Sequence, residues 1–301
     1  MNDGASGAEC PLCSGTSAAL FPIYYDFAGR RFQSRRCGAC SFVFLEPRPS
    51  QEELALLYSD EYFLHDGADC GAHSSTDYET AAVQGSVKFP EILGWIRKYR
   101  PAGDFFEVGC GMGYFLAFAR DNGFRVRGIE FAALGVKKCR EQFGLDVDQT
   151  SFEHYTGQPA SCDVLFMGDV LEHLVQPLEM IRKAHRLLRA SGIVAVEVPS
   201  MFNSLAGRLA VAGYSLLGLQ RKMPMPPYHI NEFTPRTLRI ILDRAGFRNC
   251  SVIQRIRPPR MITLRGNLLE KAAKKTVHYP NYVLTKTFGV LGDRLLGIGV
   301  K

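Results

Sequence analysis

Glu107-Val108-Gly109-Cys110-Gly111-Met112-Gly113 follows an apolar run that opens at Phe105 and precedes a helical pattern that begins at Tyr114. Glycine at every second position lets a strand turn tightly into a helix and lets a ligand lie against bare backbone, where a Cβ would collide. The dinucleotide fingerprint G-x-G-x-x-G puts its third glycine one residue later than Gly113, so this loop departs from that pattern. Outward from the loop, strand and helix signals alternate. Strands are predicted near Phe105–Gly109, Arg125–Glu130, Asp163–Met167 and Gly192–Val198, and helices near Tyr114–Asn122, Leu134–Gln142 and Pro177–Arg189. Such alternation favours a parallel sheet covered on both faces. Upstream, Phe89, Ile92, Leu93, Ile96 and Tyr99 recur at helical spacing. Downstream, Thr234 caps a helix from Pro235 to Ala245 that stops at Gly246, and a strand is predicted over Asn249–Ile253.

Two carboxylates narrow the ligand. Glu107, at the strand end, would repel a pyrophosphate but suits the ammonium and sulfonium of S-adenosylmethionine. Glu130 ends the next strand, where a carboxylate accepts the hydroxyls of an adenosine ribose in either cofactor class. Together with Gly168-Asp169-Val170-Leu171-Glu172-His173-Leu174, these segments resemble the class I S-adenosylmethionine-dependent methyltransferases over about residues 85 to 255. The resemblance implies an α/β fold with a Rossmann-like, mostly parallel seven-stranded sheet and helices on both faces. It implies cofactor contacts from Glu107, Gly109, Cys110, Gly111, Gly113, Glu130, Ser151, Phe152, Asp169, Val170 and Leu171. Thr150-Ser151 stands where the family commonly has Gly-Asp, a departure at the adenine contact. Methyl transfer from a sulfonium is an in-line displacement, so the protein mainly positions the reactants and, for a hydroxyl acceptor, removes a proton. His173, in the strand-end loop, and His229, ahead of Asn231-Glu232-Phe233-Thr234, are the candidate bases, each weighed against a merely structural histidine.

Nine cysteines fit no secreted disulfide scaffold: four form two CxxC pairs, and Cys70, Cys110, Cys139, Cys162 and Cys250 are scattered singly, as suits a reducing compartment. Cys10, Cys13, Cys37 and Cys40 place two thiolate pairs on two turns, the donor set of a closed, structural Zn²⁺ site. A β-prone stretch (Phe21, Ile23, Tyr24, Tyr25, Phe27), a turn at Gly29, and Phe42-Val43-Phe44 complete a small N-terminal zinc ribbon. Ser50 and Glu53 form a capping-box start to a linker helix, and residues 66 to 76 read as a loop. This front end, with Glu46-Pro47-Arg48-Pro49 and Asp60-Glu61-Tyr62-Phe63, resembles a subgroup of bacterial methyltransferases, many of which are tied to glycan or secondary-metabolite pathways. The division predicted is a ribbon over 1–46, a linker helix and loop over 47–84, the methyltransferase domain over 85–255 and a C-terminal extension over 256–301.

That extension is basic, with ten Lys/Arg and two Asp/Glu from Arg255 to Lys301, while the whole chain carries +6. Between Glu197 and Glu232 there is no acid, and Leu205, Leu209, Val211, Tyr214, Leu216, Leu217 and Leu219 make an apolar insert over about 200–230. The insert reads either as a buried lid beside a soluble substrate or as a surface that meets an anionic membrane and admits a lipid-linked acceptor. The acceptor classes carried forward are therefore a small molecule, a glycan or a lipid-linked molecule. An RNA methyltransferase is a competing reading of the ribbon and basic tail, but no recognised RNA-binding module accompanies them, which weighs against nucleic acid. A non-catalytic zinc- and nucleotide-binding protein and an NAD(P)-dependent oxidoreductase are the further alternatives; an intact cofactor loop weighs against the first, and the glycine spacing and Glu107 against the second. The N-terminus shows no signal-peptide pattern and no apolar run is long enough to span a bilayer, so the sequence reads as cytoplasmic, with the inner membrane surface as a peripheral site. Nothing in it sets an oligomeric state.

Overall fold

The computed structural model describes residues 9–16, 18–57, 83, 85–259 and 268–301. Three antiparallel strands come first: β1 (Ala18–Phe27), β2 (Arg30–Cys37) and β3 (Val43–Glu46). Helix α1 (Gln51–Leu57) starts on the anticipated capping box, with Ser50 N donating to Glu53 Oε2 at 2.7 Å and Glu53 N to Ser50 Oγ at 3.2 Å. Cys70 and the loop predicted over 66 to 76 lie outside the described residues.

The alternation then runs as α2 (Phe89–Tyr99), β4 (Asp104–Val108), α3 (Tyr114–Asp121), β5 (Arg125–Glu130), α4 (Ala133–Phe143), β6 (Val147–Gln149), β7 (Cys162–Gly168), α5 (Pro177–Leu187) and β8 (Leu188–Pro199). After it come α6 (Leu205–Leu216), β9 (Arg221–Lys222), β10 (Asn231–Glu232), α7 (Pro235–Arg244), β11 (Arg248–Arg255), α8 (Leu268–Phe288) and β12 (Arg294–Val300). Seven strands form one sheet in the order β11-β12-β8-β7-β4-β5-β6, parallel from β8 to β6, with β12 antiparallel to both neighbours. In central β7, Val164, Leu165, Phe166 and Met167 are all at most 2% exposed, because helices cover both faces. Phe105, Val164 and Phe166 pack on one face with Ile92 and Ile96 of α2 and Phe115 and Leu116 of α3. Phe106, Leu165 and Met167 pack on the other with Ile181 of α5 and Leu238 and Ile241 of α7. The Thr234 cap of α7 forms as anticipated, Thr237 N donating to Thr234 Oγ1 at 3.2 Å.

Two expectations are corrected. The sheet does not end at residue 255, because β12 from the supposed extension lies between β8 and β11. Leu295, Leu296 and Ile298 are fully buried there, so the apolar run after Arg294 outweighs the basic character of the surrounding tail. Nor is the ribbon a self-contained module. Its sheet runs β10-β3-β2-β1-β9, and both outer strands come from the region after β8. Its Phe42 packs on Phe233, ring centroids 5.1 Å apart, within the core shared with α5 and α7.

Candidate active site

The glycine loop leaves β4 at Val108 and is tied to β5, since Gly109 N and Cys110 N both donate to Ile129 O, at 2.9 and 3.1 Å. Gly109 and Gly113 have φ of +65° and +83°, which L side chains rarely adopt. A Cβ on Gly109 would meet Val170 Cγ2 at 2.6 Å, and one on Gly113 would meet Cys139 Sγ at 2.7 Å. The glycines thus let the β7 loop and α4 close against the turn, bringing Val170 beside Gly109. Cys110 is buried with its Sγ 3.9 Å from Cys139 Sγ; that contact and burial hold its thiol well above the usual range, so it is a packed residue and a poor nucleophile.

Glu130 is 6% exposed and its carboxylate braces the loop, accepting from Gly111 N at 2.7 Å through Oε2 and from Ala132 N at 2.9 Å through Oε1. Each oxygen keeps a lone pair for a ligand hydroxyl. Thr150 N donates to Glu130 O at 3.0 Å, which brings the Thr150-Ser151 turn next to it. Ser151 Oγ pairs with His154 Nδ1 at 3.0 Å, and Phe152 is buried under the Lys183 ammonium, 5.1 Å from its ring. Glu107 is different in kind. It is 4% exposed, its Oε2 has no hydrogen-bond partner, and burial, reinforced by Cys139 and Glu130, pushes its carboxyl well above the ordinary value. A buried carboxylate without a donor is costly unless a ligand supplies one, and an ammonium would. The residues therefore fit S-adenosylmethionine.

At the end of β7, Asp169 takes a left-handed φ of +58° and donates its N–H to Glu197 O at 2.9 Å. Although burial pushes its carboxyl up, the charges of Arg294 and Lys88 hold it well below the usual range. Both cations are shared with Glu197, which is 1% exposed: Lys88 Nζ lies 2.8 Å from its Oε2, and Arg294 Nε and Arg255 Nη1 lie 3.2 and 2.5 Å from its Oε1. Sequence reasoning missed this network. Its members stand far apart in the chain with no shared spacing; the one available signal was a lone arginine bounding each of two apolar runs, at Arg255 and Arg294. Leu171, by contrast, is fully buried in the core.

The two histidines are brought together, with ring centroids 5.1 Å apart. His173 Nδ1 hydrogen-bonds to Tyr228 O at 2.7 Å, and its Nε2 lies 3.7 Å from Glu172 Oε1. Burial lowers His173 and pushes His229 down to about 3, so both rings are neutral at pH 7. The loops that carry them are stapled by Arg48, whose guanidinium donates to Ile230 O at 3.0 Å, Asn231 Oδ1 at 2.9 Å, Leu174 O at 3.3 Å and Val175 O at 2.5 Å. Arg48, in the Glu46-Pro47-Arg48-Pro49 motif, was legible as part of a resemblance but not as this clamp.

In the ribbon, Cys10 Sγ lies 3.7 Å from Cys40 Sγ and Cys13 Sγ 3.5 Å from Cys37 Sγ, and all four sulfurs fall within 4.8 Å of one another. These separations far exceed a disulfide bond and match the roughly 3.8 Å expected around a tetrahedral ion with metal–sulfur distances of about 2.3 Å. The lid insert departs from a buried helix: no residue of α6 is buried, and Leu209, Leu216, Leu217 and Leu219 are 59, 87, 69 and 51% exposed. Among the described residues, no helix is long and apolar enough to cross a membrane.

Comparison with known proteins agrees with this geometry. A 28% identical relative in Mycolicibacterium smegmatis, named "Probable S-adenosylmethionine-dependent methyltransferase", aligns over 151 residues, 50% of this chain and 54% of that protein. The chain thus spans about half the length of its mycobacterial relatives. A ubiquinone biosynthesis O-methyltransferase of Ruegeria pomeroyi is 29% identical over 56% of this chain and 68% of its own. Among solved structures, a Burkholderia thailandensis 1,6-didemethyltoxoflavin-N1-methyltransferase, with its substrate and S-adenosylhomocysteine bound, shares the fold at a TM-score of 0.52 and 15% identity, covering 91% of this chain and 97% of that one. A SAM-dependent methyltransferase from Thermotoga maritima gives a TM-score of 0.51 at 17% identity, over 74% of this chain and 94% of its own. The methyltransferase-domain family profile matches residues 90–252, from α2 into β11, and by that match over more than half its length the chain belongs to the methyltransferase-domain family.

Proposed function

We propose that the chain binds S-adenosylmethionine against the glycine loop and transfers its methyl group to a small-molecule, glycan or lipid-linked acceptor. The observation that carries this reading is the pair of buried carboxylates flanking the loop, Glu107 with an unpartnered oxygen and Glu130 braced by Gly111 N and Ala132 N. When bound, the cofactor supplies a methyl carbon already activated by its sulfonium. Glu130 accepts the ribose hydroxyls, Glu107 faces the cationic methionine portion, and the Ser151–Phe152 turn flanks the adenine. Asp169 and Val170 border the site from the β7 loop. His173 and His229, neutral and adjacent, are the groups available to hold or relay an acceptor proton. The named activities of the ubiquinone-biosynthesis relatives and of the toxoflavin enzyme favour a small-molecule acceptor.

The four ribbon cysteines hold a Zn²⁺ whose coordination they close, so it acts on structure and not on chemistry. Residues 10–46 and the two strands β9 and β10 make one unit around it. A second reading, contact with an anionic membrane from the cytoplasmic side, is favoured by the exposed leucines of α6 together with the absence of any acid between Glu197 and Glu232.

Calorimetric titration with S-adenosylmethionine and, separately, NADH tests the central reading. Saturable binding of S-adenosylmethionine alone is expected, weakened about tenfold or more in Glu130→Ala by the loss of hydrogen bonds to a charged acceptor. Preference for NADH, or no binding of either, would overturn it.

A further inference from the structure

Glu172, unused in the reading above, lies beside the two histidines. Both of its carboxylate oxygens are buried without a hydrogen-bond partner, and its side chain is 1% exposed. One donor atom from each of Glu172, His173 and His229 falls within 4.8 Å of the others. Of the two ring nitrogens of His173, Nδ1 is held at 2.7 Å from Tyr228 O and Nε2 faces Glu172 Oε1 at 3.7 Å. A backbone carbonyl fixing the far nitrogen of an imidazole is the usual way in which a metal-ligating histidine is oriented. Two imidazoles and a carboxylate suit a divalent transition metal, and three protein ligands leave coordination positions open. Ligand atoms around such an ion stand roughly 3 to 3.5 Å apart, so side-chain rotation alone closes the set. The ligands come from two loops already fastened together by Arg48 and by Asn231 Nδ2, which donates to Leu174 O at 2.7 Å. Val170, two residues before Glu172, touches the glycine loop, so the cluster borders the cofactor side of the site.

We propose that Glu172, His173 and His229 bind a divalent transition-metal cation whose open positions take the hydroxyl of the acceptor, making this an O-methylating site. The proposal rests on the methyltransferase reading for its chemistry, but not for metal binding. In the step, the acceptor O–H releases its proton to solvent and the oxygen lone pair forms the new bond to the methyl carbon. The carbon–sulfur bond breaks with its electron pair going to sulfur, which passes from sulfonium to thioether. The ion favours the ionised oxygen.

Co²⁺ titration of the full-length, metal-stripped protein separates this site from the ribbon by colour, because four thiolates give an intense sulfur-to-metal charge-transfer band and a His₂-carboxylate set does not. Two saturable classes are expected, one without that band. Catechol, as a hydroxyl probe, shifts the visible bands of that class and leaves the thiolate band in place. Glu172→Gln and His229→Ala each weaken that class at least tenfold while S-adenosylmethionine titration in the same samples still shows binding; Glu172→Gln, of equal size, decides the matter should His229→Ala fail to fold. A thiolate class alone, a second class that ignores both substitutions, or one that ignores catechol would overturn the proposal. Loss of S-adenosylmethionine binding in the unmodified protein would overturn the methyltransferase reading instead, and the Co²⁺ spectra would still report on the metal.

Discussion

Glu107 is protonated more readily than an ordinary carboxyl because it is buried without a donor, and this makes cofactor binding a proton-linked event. A cation placed beside it favours the carboxylate, so binding below the raised value expels a proton and affinity rises with pH through that value. Calorimetry in buffers of different ionisation enthalpy should show this release, and Glu107→Gln should abolish the buffer dependence. In the cofactor-free protein the same shift contributes stability that is fully present below the unfolded value near 4.5 and is lost as pH rises through the raised one. Arg294 illustrates the opposite case, a buried cation shared by the buried Glu197 and the more exposed Asp169. Arg294→Met leaves Glu197 with Arg255 and Lys88 and Asp169 with Lys88, and urea denaturation should record a loss of about 1–3 kcal/mol.

Among the helices described above, α6 stands apart because none of its residues is buried and three leucines cluster at and just beyond its C-terminal end. Leu216→Glu with Leu217→Glu should abolish sedimentation with phosphatidylglycerol vesicles while moving the melting temperature by less than about 2 °C, as befits exposed positions. Equal sedimentation of the double variant and the parent would exclude α6 as the membrane contact. The elements that the sequence revealed are those with strong local signals. The glycine loop, the capping box at Ser50, the cap at Thr234 and the apolar spacing of α2 each dictate structure within a few residues. The elements it hid are those whose reason is distant. Arg221–Lys222 and Asn231–Glu232 are two-residue strands with no pattern of their own, and they exist because β1 and β3 offer open edges. In the same way Glu172 read as one residue of a family motif, and only the fold shows its carboxylate against two histidines from different loops.

At the scale of the molecule, both sheets are closed by segments remote in sequence. The seven-stranded sheet needs β12 for β11 to pair at all, so a chain ending before Arg294 should lose cooperative thermal unfolding and enter inclusion bodies, with solubility and near-ultraviolet circular dichroism as the measurements. A soluble, cooperatively melting truncation would show instead that β11 can re-pair with β8. The ribbon takes its outer strands from the segment that also carries His229, which ties the four-cysteine cluster to the candidate site by shared backbone. This arrangement bears on how the protein is made. A ribosome delivers residues in order, and the ribbon emerges about two hundred residues ahead of β9 and β10, the strands that complete it. With zinc held as proposed, metal capture guards the nascent ribbon's bare edges during translation, and zinc starvation is expected to deplete newly made chains while sparing those already folded.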